Sequence, residues 1–231
     1  NGIYFDDRAF SEAVDFGVLY SCVLPGSSNI LGGQATVIRN FAPNRQSAVF
    51  RECGFKMALG YNPRSATAWK GPRPTTRMGT TALLENYFQE ILRKEEQARI
   101  QRETAIFDLS DHGNEQHLSL IQRAYEIALS EEQWAVFKLL KGKIKAKVHV
   151  HKADDALYLI DLKARFSLDV TAEHACDIFD IDIFNALAKN DISVVYGPVG
   201  SFDNKVELKN ASYKHAAILM QSQADFGLMT D

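Results

Sequence analysis

From about Ile144 onward the chain repeats one unit, a short apolar strand followed by a helix, and this rhythm restricts the fold more than any other feature of the sequence. Strands are expected over 144–151, 168–174, 192–197 and 226–231, with helices over 156–166, 176–189 and 214–223 between them. A strand that returns through a helix joins a parallel sheet by a right-handed crossover. Upstream, a helix over 10–16 ends at Gly17, and strand candidates follow over 18–24, 35–40 and 54–59. A polar, proline-bearing loop over 62–74 leads to Thr75 and Thr76, N-caps for a long helix over 78–102 whose charged second half reads as a solvated face. After a polar break over 110–115, a helical stretch runs to about Leu140. Seven strands at about thirty residues per unit point to an α/β fold, a partial (β/α)8 TIM-type barrel with about seven parallel strands, one short of the full barrel. One domain over residues 1–231 is expected.

Chemistry concentrates where these strands end. In KVHVHKADD (147–155), a period of two puts Val148 and Val150 on one face and His149 and His151 on the other, with Asp154 and Asp155 in the turn beyond. Two further strands close on ionisable groups, one at Glu173 and His174 and the other at Asp231. Imidazoles and carboxylates gathered from several strand ends are metal-site chemistry. Three widely spaced cysteines, Cys22, Cys53 and Cys176, form no CxxC pair, so free thiols are expected. A net charge of −3 with mixed signs and no basic stripe argues against nucleic acid as a partner. No apolar run reaches the roughly 18 residues of a transmembrane helix and no secretory leader is visible, which argues against a membrane partner and favours a cytoplasmic location.

Six stretches in order, VLPGSSNILGGQ (23–34), FKMALGYNP (55–63), PTTRMG (74–79), HVHKADD (149–155), EHA (173–175) and LMTD (228–231), resemble the metal-dependent amidohydrolase superfamily. The resemblance is to its imidazolonepropionase-like branch, which also contains dipeptidases of prolidase type. It implies a barrel with a His-x-His pair on the first strand, histidines ending the fifth and sixth, and an aspartate ending the eighth. No His-x-His occurs before residue 18 and nothing follows Asp231, so the chain is expected to be an internal piece of a longer enzyme, lacking the first strand and both termini. The sheet is then expected to keep two open edges and to self-associate as a homo-oligomer.

The resemblance also implies residue roles. His151, with Asp154 three positions on, takes the fifth-strand ligand role; His149 is expected to orient it from behind or to be a core histidine. His174 is a ligand or substrate-polarising imidazole, with Glu173 pointing to the opposite face. Asp231 is a ligand and general base. Alternation turns Lys56 and Ala58 into the barrel; prolidase-like members carry there a lysine carbamate bridging two metals, and an ion-paired lysine is the alternative. The metal set is therefore Lys56, His151, His174 and Asp231, with Asp231 and His174 catalytic, for one or two divalent ions, zinc first. Asn29 in the glycine-rich mouth loop, Arg77, Asp154 and Lys205 are expected to bind a small-molecule substrate and Glu207 to line the pocket beside Lys205, with a solvent-facing surface role the alternative for Arg77, Lys205 and Glu207. The function implied is hydrolysis of a C–N (amide) bond by a metal-activated water, with a deaminase, a dipeptidase or a non-catalytic binding module of the same fold as alternatives.

Overall fold

The computed structural model describes residues 2–65, 74–109, 115–200 and 205–230. After α1 (Arg8–Asp15) come strands β1 (Tyr20–Val23), β2 (Leu31–Arg39) and β3 (Val49–Ala58), with two single turns, α2 (Arg45–Ala48) and α3 (Asn62–Ser65). The long α4 (Arg77–Asp108) opens on Thr76, whose hydroxyl accepts from the Gly79 amide. The helical stretch that follows is two helices, α5 (Glu115–Glu126) and α6 (Glu131–Leu140). A capping box between Ser130 and Gln133 starts α6 and ends the continuity the sequence suggests. The expected rhythm then appears as β4 (Ala146–Val150), α7 (Ala153–Phe166), β5 (Val170–His174), α8 (Ile181–Lys189), β6 (Ser193–Tyr196), α9 (His215–Gln221) and β7 (Phe226–Leu228). Among the described residues no helix is long and apolar enough to cross a membrane, and none of the three cysteines is in a disulfide.

The strands form one sheet in the order β1-β2-β3-β4-β5-β6-β7, curled as a half-barrel. It is mostly parallel, and here the expectation of seven parallel strands needs correction: β1 with β2 and β2 with β3 pair antiparallel, so β2 runs against the others, and the pairings from β3 to β7 are parallel. The physical reason is connection length. A parallel crossover takes a dozen or more residues, and the short links between these first strands suffice only for reversals.

Alternation assigns the two faces. Phe55 and Met57 of β3, Ala146, Val148 and Val150 of β4, Val170 and Ala172 of β5, and Val194 and Tyr196 of β6 belong to one buried apolar cluster. The helices complete it with Leu84, Phe88 and Ile91 of α4, Val136 and Leu139 of α6, Leu159 and Leu162 of α7, and Phe184 and Leu187 of α8. Burial of this apolar face is the main force closing helices onto sheet. The other face carries Lys56, Lys147, His149, Thr171 and Glu173, aligned by the register Lys56↔Lys147, Lys147↔Thr171 and His149↔Glu173. Polar groups collected on a concave, water-poor face mark where the chemistry lies.

Candidate metal centre

The site stands at the C-terminal ends of β4 and β5. His149 and His151 share the concave face because they are two positions apart along the chain, and their ring centroids are 4.6 Å apart. His174 gets there differently. Its register partner is Val150, so strand parity alone would send its side chain into the apolar layer. The backbone reverses this: His174 and Ala175 have φ of 76° and 55°, left-handed values that cost a non-glycine residue roughly 1–3 kcal/mol each. The turned ring lies 4.6 Å from the ring of His149 and 5.1 Å from that of His151. One nitrogen from each of the three rings falls within 4.8 Å of the others, and the residues are only 2%, 4% and 3% exposed.

The protonation states suit a cation. Burial, then the His174 ring and the Lys56 and Lys205 ammonium groups, hold the His149 imidazole well below its usual pKa. Burial and the His149 ring bring His151 down to about 2 against the opposing pull of Glu207. Both rings are therefore neutral at neutral pH, the form that ligates metal. His174 Nδ1 lies 2.9 Å from the Gly197 carbonyl, so this nitrogen carries the proton and Nε2 the lone pair. Meanwhile Nδ1 of His149 and Nδ1 of His151 are buried without a hydrogen-bond partner among the described residues. Unpaired buried nitrogens are costly, and a divalent ion favouring imidazole would give them one. The donors present thus fit such an ion.

Other candidates lie as follows. Lys56 is buried on the concave face, as alternation places it, two residues below the level of His149 on the neighbouring strand. Asp231 lies outside the described residues. Arg77 directs Nε and Nη2 at Asp155 Oδ1 (3.0 and 2.6 Å) and Nη1 at Asp154 (3.1 Å), so its donors face the chain's own carboxylates. Asp154 is mostly exposed, and Asn29 is exposed in the turn before β2. Lys205 acts on both the His149 and His151 rings.

Two acidic residues border the cluster, and one of them departs from expectation. Glu173 does not point away from the site. Its carboxylate accepts from the Thr171 hydroxyl at 2.5 Å and sits 3.5 Å from Lys147 Nζ, on the face of its register partner His149. The apolar Val170 and Ala172 already signalled this, because they fix Thr171 and Glu173 on the opposite side. Glu207, expected to line the pocket with a water-facing place as the alternative, is buried, with Oε1 3.3 Å from His149 Nε2 and 3.9 Å from His151 Nε2. No sequence period links this loop residue to His149, fifty-eight residues earlier.

No family model and no curated protein sequence matches the chain. Among solved structures it is similar to the crystal structure of an amidohydrolase from Thermotoga maritima MSB8, with a TM-score of 0.81 and 27% identity. The match covers 99% of this chain and 55% of that one, so the chain spans about half the length of the protein it matches. The similarity supports the amidohydrolase superfamily as the setting of this site.

Proposed function

We propose that the chain carries the metal-binding wall of a hydrolase that opens the C–N bond of an amide in a small-molecule substrate. The observation that carries this reading is the buried cluster of His149, His151 and His174 with their nitrogens within 4.8 Å. The similarity to an amidohydrolase supports the reaction class. Three neutral imidazoles suit zinc. When bound there, the ion supplies Lewis acidity, polarising a carbonyl and lowering the pKa of water.

The chain's own residues have separate tasks in this proposal. The three histidines hold the ion, and the concave polar face keeps them out of bulk water. Because the His174 proton is committed to the Gly197 carbonyl, His174 serves as a ligand in preference to a donor toward a developing oxyanion. Lys205, whose charge acts on two of the rings, is the cation proposed for that role. Asp231 is the proposed general base, and Lys56, as a carbamate, the bridge to a second ion in a prolidase-like arrangement. The exposed edge strands β1 and β7 are proposed to pair with a second copy of the chain.

The test is an assay of the zinc-loaded protein against a panel of N-acyl amino acids and dipeptides, read as release of primary amine. Release that stops on chelation and in His174→Ala is expected. A panel left intact by protein whose bound zinc has been verified, or release indifferent to chelation, would contradict the proposal.

A further inference from the structure

We infer that Glu207 is the positioning residue of this centre: its carboxylate accepts a hydrogen bond from Nε2–H of His149 and thereby presents Nδ1 of that ring to the ion. The inference rests on the metal reading above and assigns the ligating atom within it. A neutral imidazole has one proton, and a carboxylate at 3.3 Å from Nε2 draws it to that nitrogen. The lone pair then lies on Nδ1, the same nitrogen that is buried without a partner among the described residues. A carboxylate behind a ligating histidine fixes its tautomer and orientation and raises its basicity.

The placement of Glu207 is itself secured. It sits in a single 3₁₀ turn (Val206–Leu208) at 4% exposure, and its second oxygen, Oε2, accepts the Tyr61 amide at 2.9 Å. The chain reaches that approach through Gly60, whose φ is +75°. A Cβ there would stand 3.0 Å from Glu207 Oε2 and 2.9 Å from Asp155 Oδ2. A left-handed glycine thus lets the backbone after β3 close on the carboxylate and hold Oε1 toward the histidines.

Long-range proton–nitrogen NMR correlations of the ¹⁵N-labelled, zinc-free chain read the His149 tautomer without any substitution. A proton on Nε2 is expected; a proton on Nδ1 would overturn the assignment. Zinc affinity, measured by competition with a chromophoric chelator, is expected to fall roughly 10–100-fold in Glu207→Ala. Glu207→Gln keeps an acceptor oxygen, so it is expected to retain the tautomer and to lose less affinity. Glu207→Ala that folds and binds zinc as tightly as the parent would overturn the inference, whereas a parent chain that binds no zinc would instead remove the metal reading and leave the tautomer as the test of Glu207.

Discussion

Replacing His149, His151 or His174 with alanine, one at a time, is expected to lower zinc affinity by on the order of a hundredfold or more. Structural zinc sites bind with apparent energies of ~10–16 kcal/mol, so one ligand out of a small set accounts for several kcal/mol. The three losses should be similar in size, because each ring supplies one nitrogen to the same point. His117→Ala, on the exposed face of α5, is expected to leave affinity unchanged. Chelator competition checks all four variants, with circular dichroism confirming that each is folded. Equal affinity in parent and in the three cluster variants would place the zinc elsewhere.

Acid is expected to unfold the zinc-free chain through the same residues. His149 and His151 have pKa values lowered in the fold, His151 to about 2, whereas in the unfolded chain each returns to near 6.5. Below pH 6.5 the unfolded state therefore binds more protons than the folded one, and stability falls as pH falls. With its folded value near 2, His151 contributes a slope approaching roughly 1.4 kcal/mol per pH unit below pH 6.5, about 2 kcal/mol by pH 4.5, and His149 acts in the same direction. Against a total stability of about 5–15 kcal/mol for many domains, that loss is large. Above pH 6.5 both forms are neutral and the contribution is constant. Urea unfolding across pH 4.5–7.5 measures it, and His149→Gln/His151→Gln should show a shallower slope. Identical slopes in parent and double variant would contradict the assigned protonation states.

Much of this was legible in the sequence. The strand–helix rhythm after Ile144 and the inward face of Lys56 both follow from side-chain period, which is a local property. The reversed direction of β2 was hidden from that period, because alternation reads the same in parallel and antiparallel strands; only the short links on either side of it told the difference. His174 joins the cluster against its strand parity, through two left-handed residues that no apolar pattern announces. Such strain is found where a structure holds a functional group in place. Glu207 reaches the site from a loop, through a contact with His149 fifty-eight residues away in sequence, and only the tertiary fold makes that pairing.

X-ray absorption at the zinc edge of the zinc-loaded chain addresses the central claim most directly, since it counts imidazoles around the ion. The expected spectrum shows one zinc per chain with three histidine rings in its shell at roughly 2.0–2.1 Å. A shell of oxygen ligands without imidazole scattering, or a chain that retains no zinc, would contradict it.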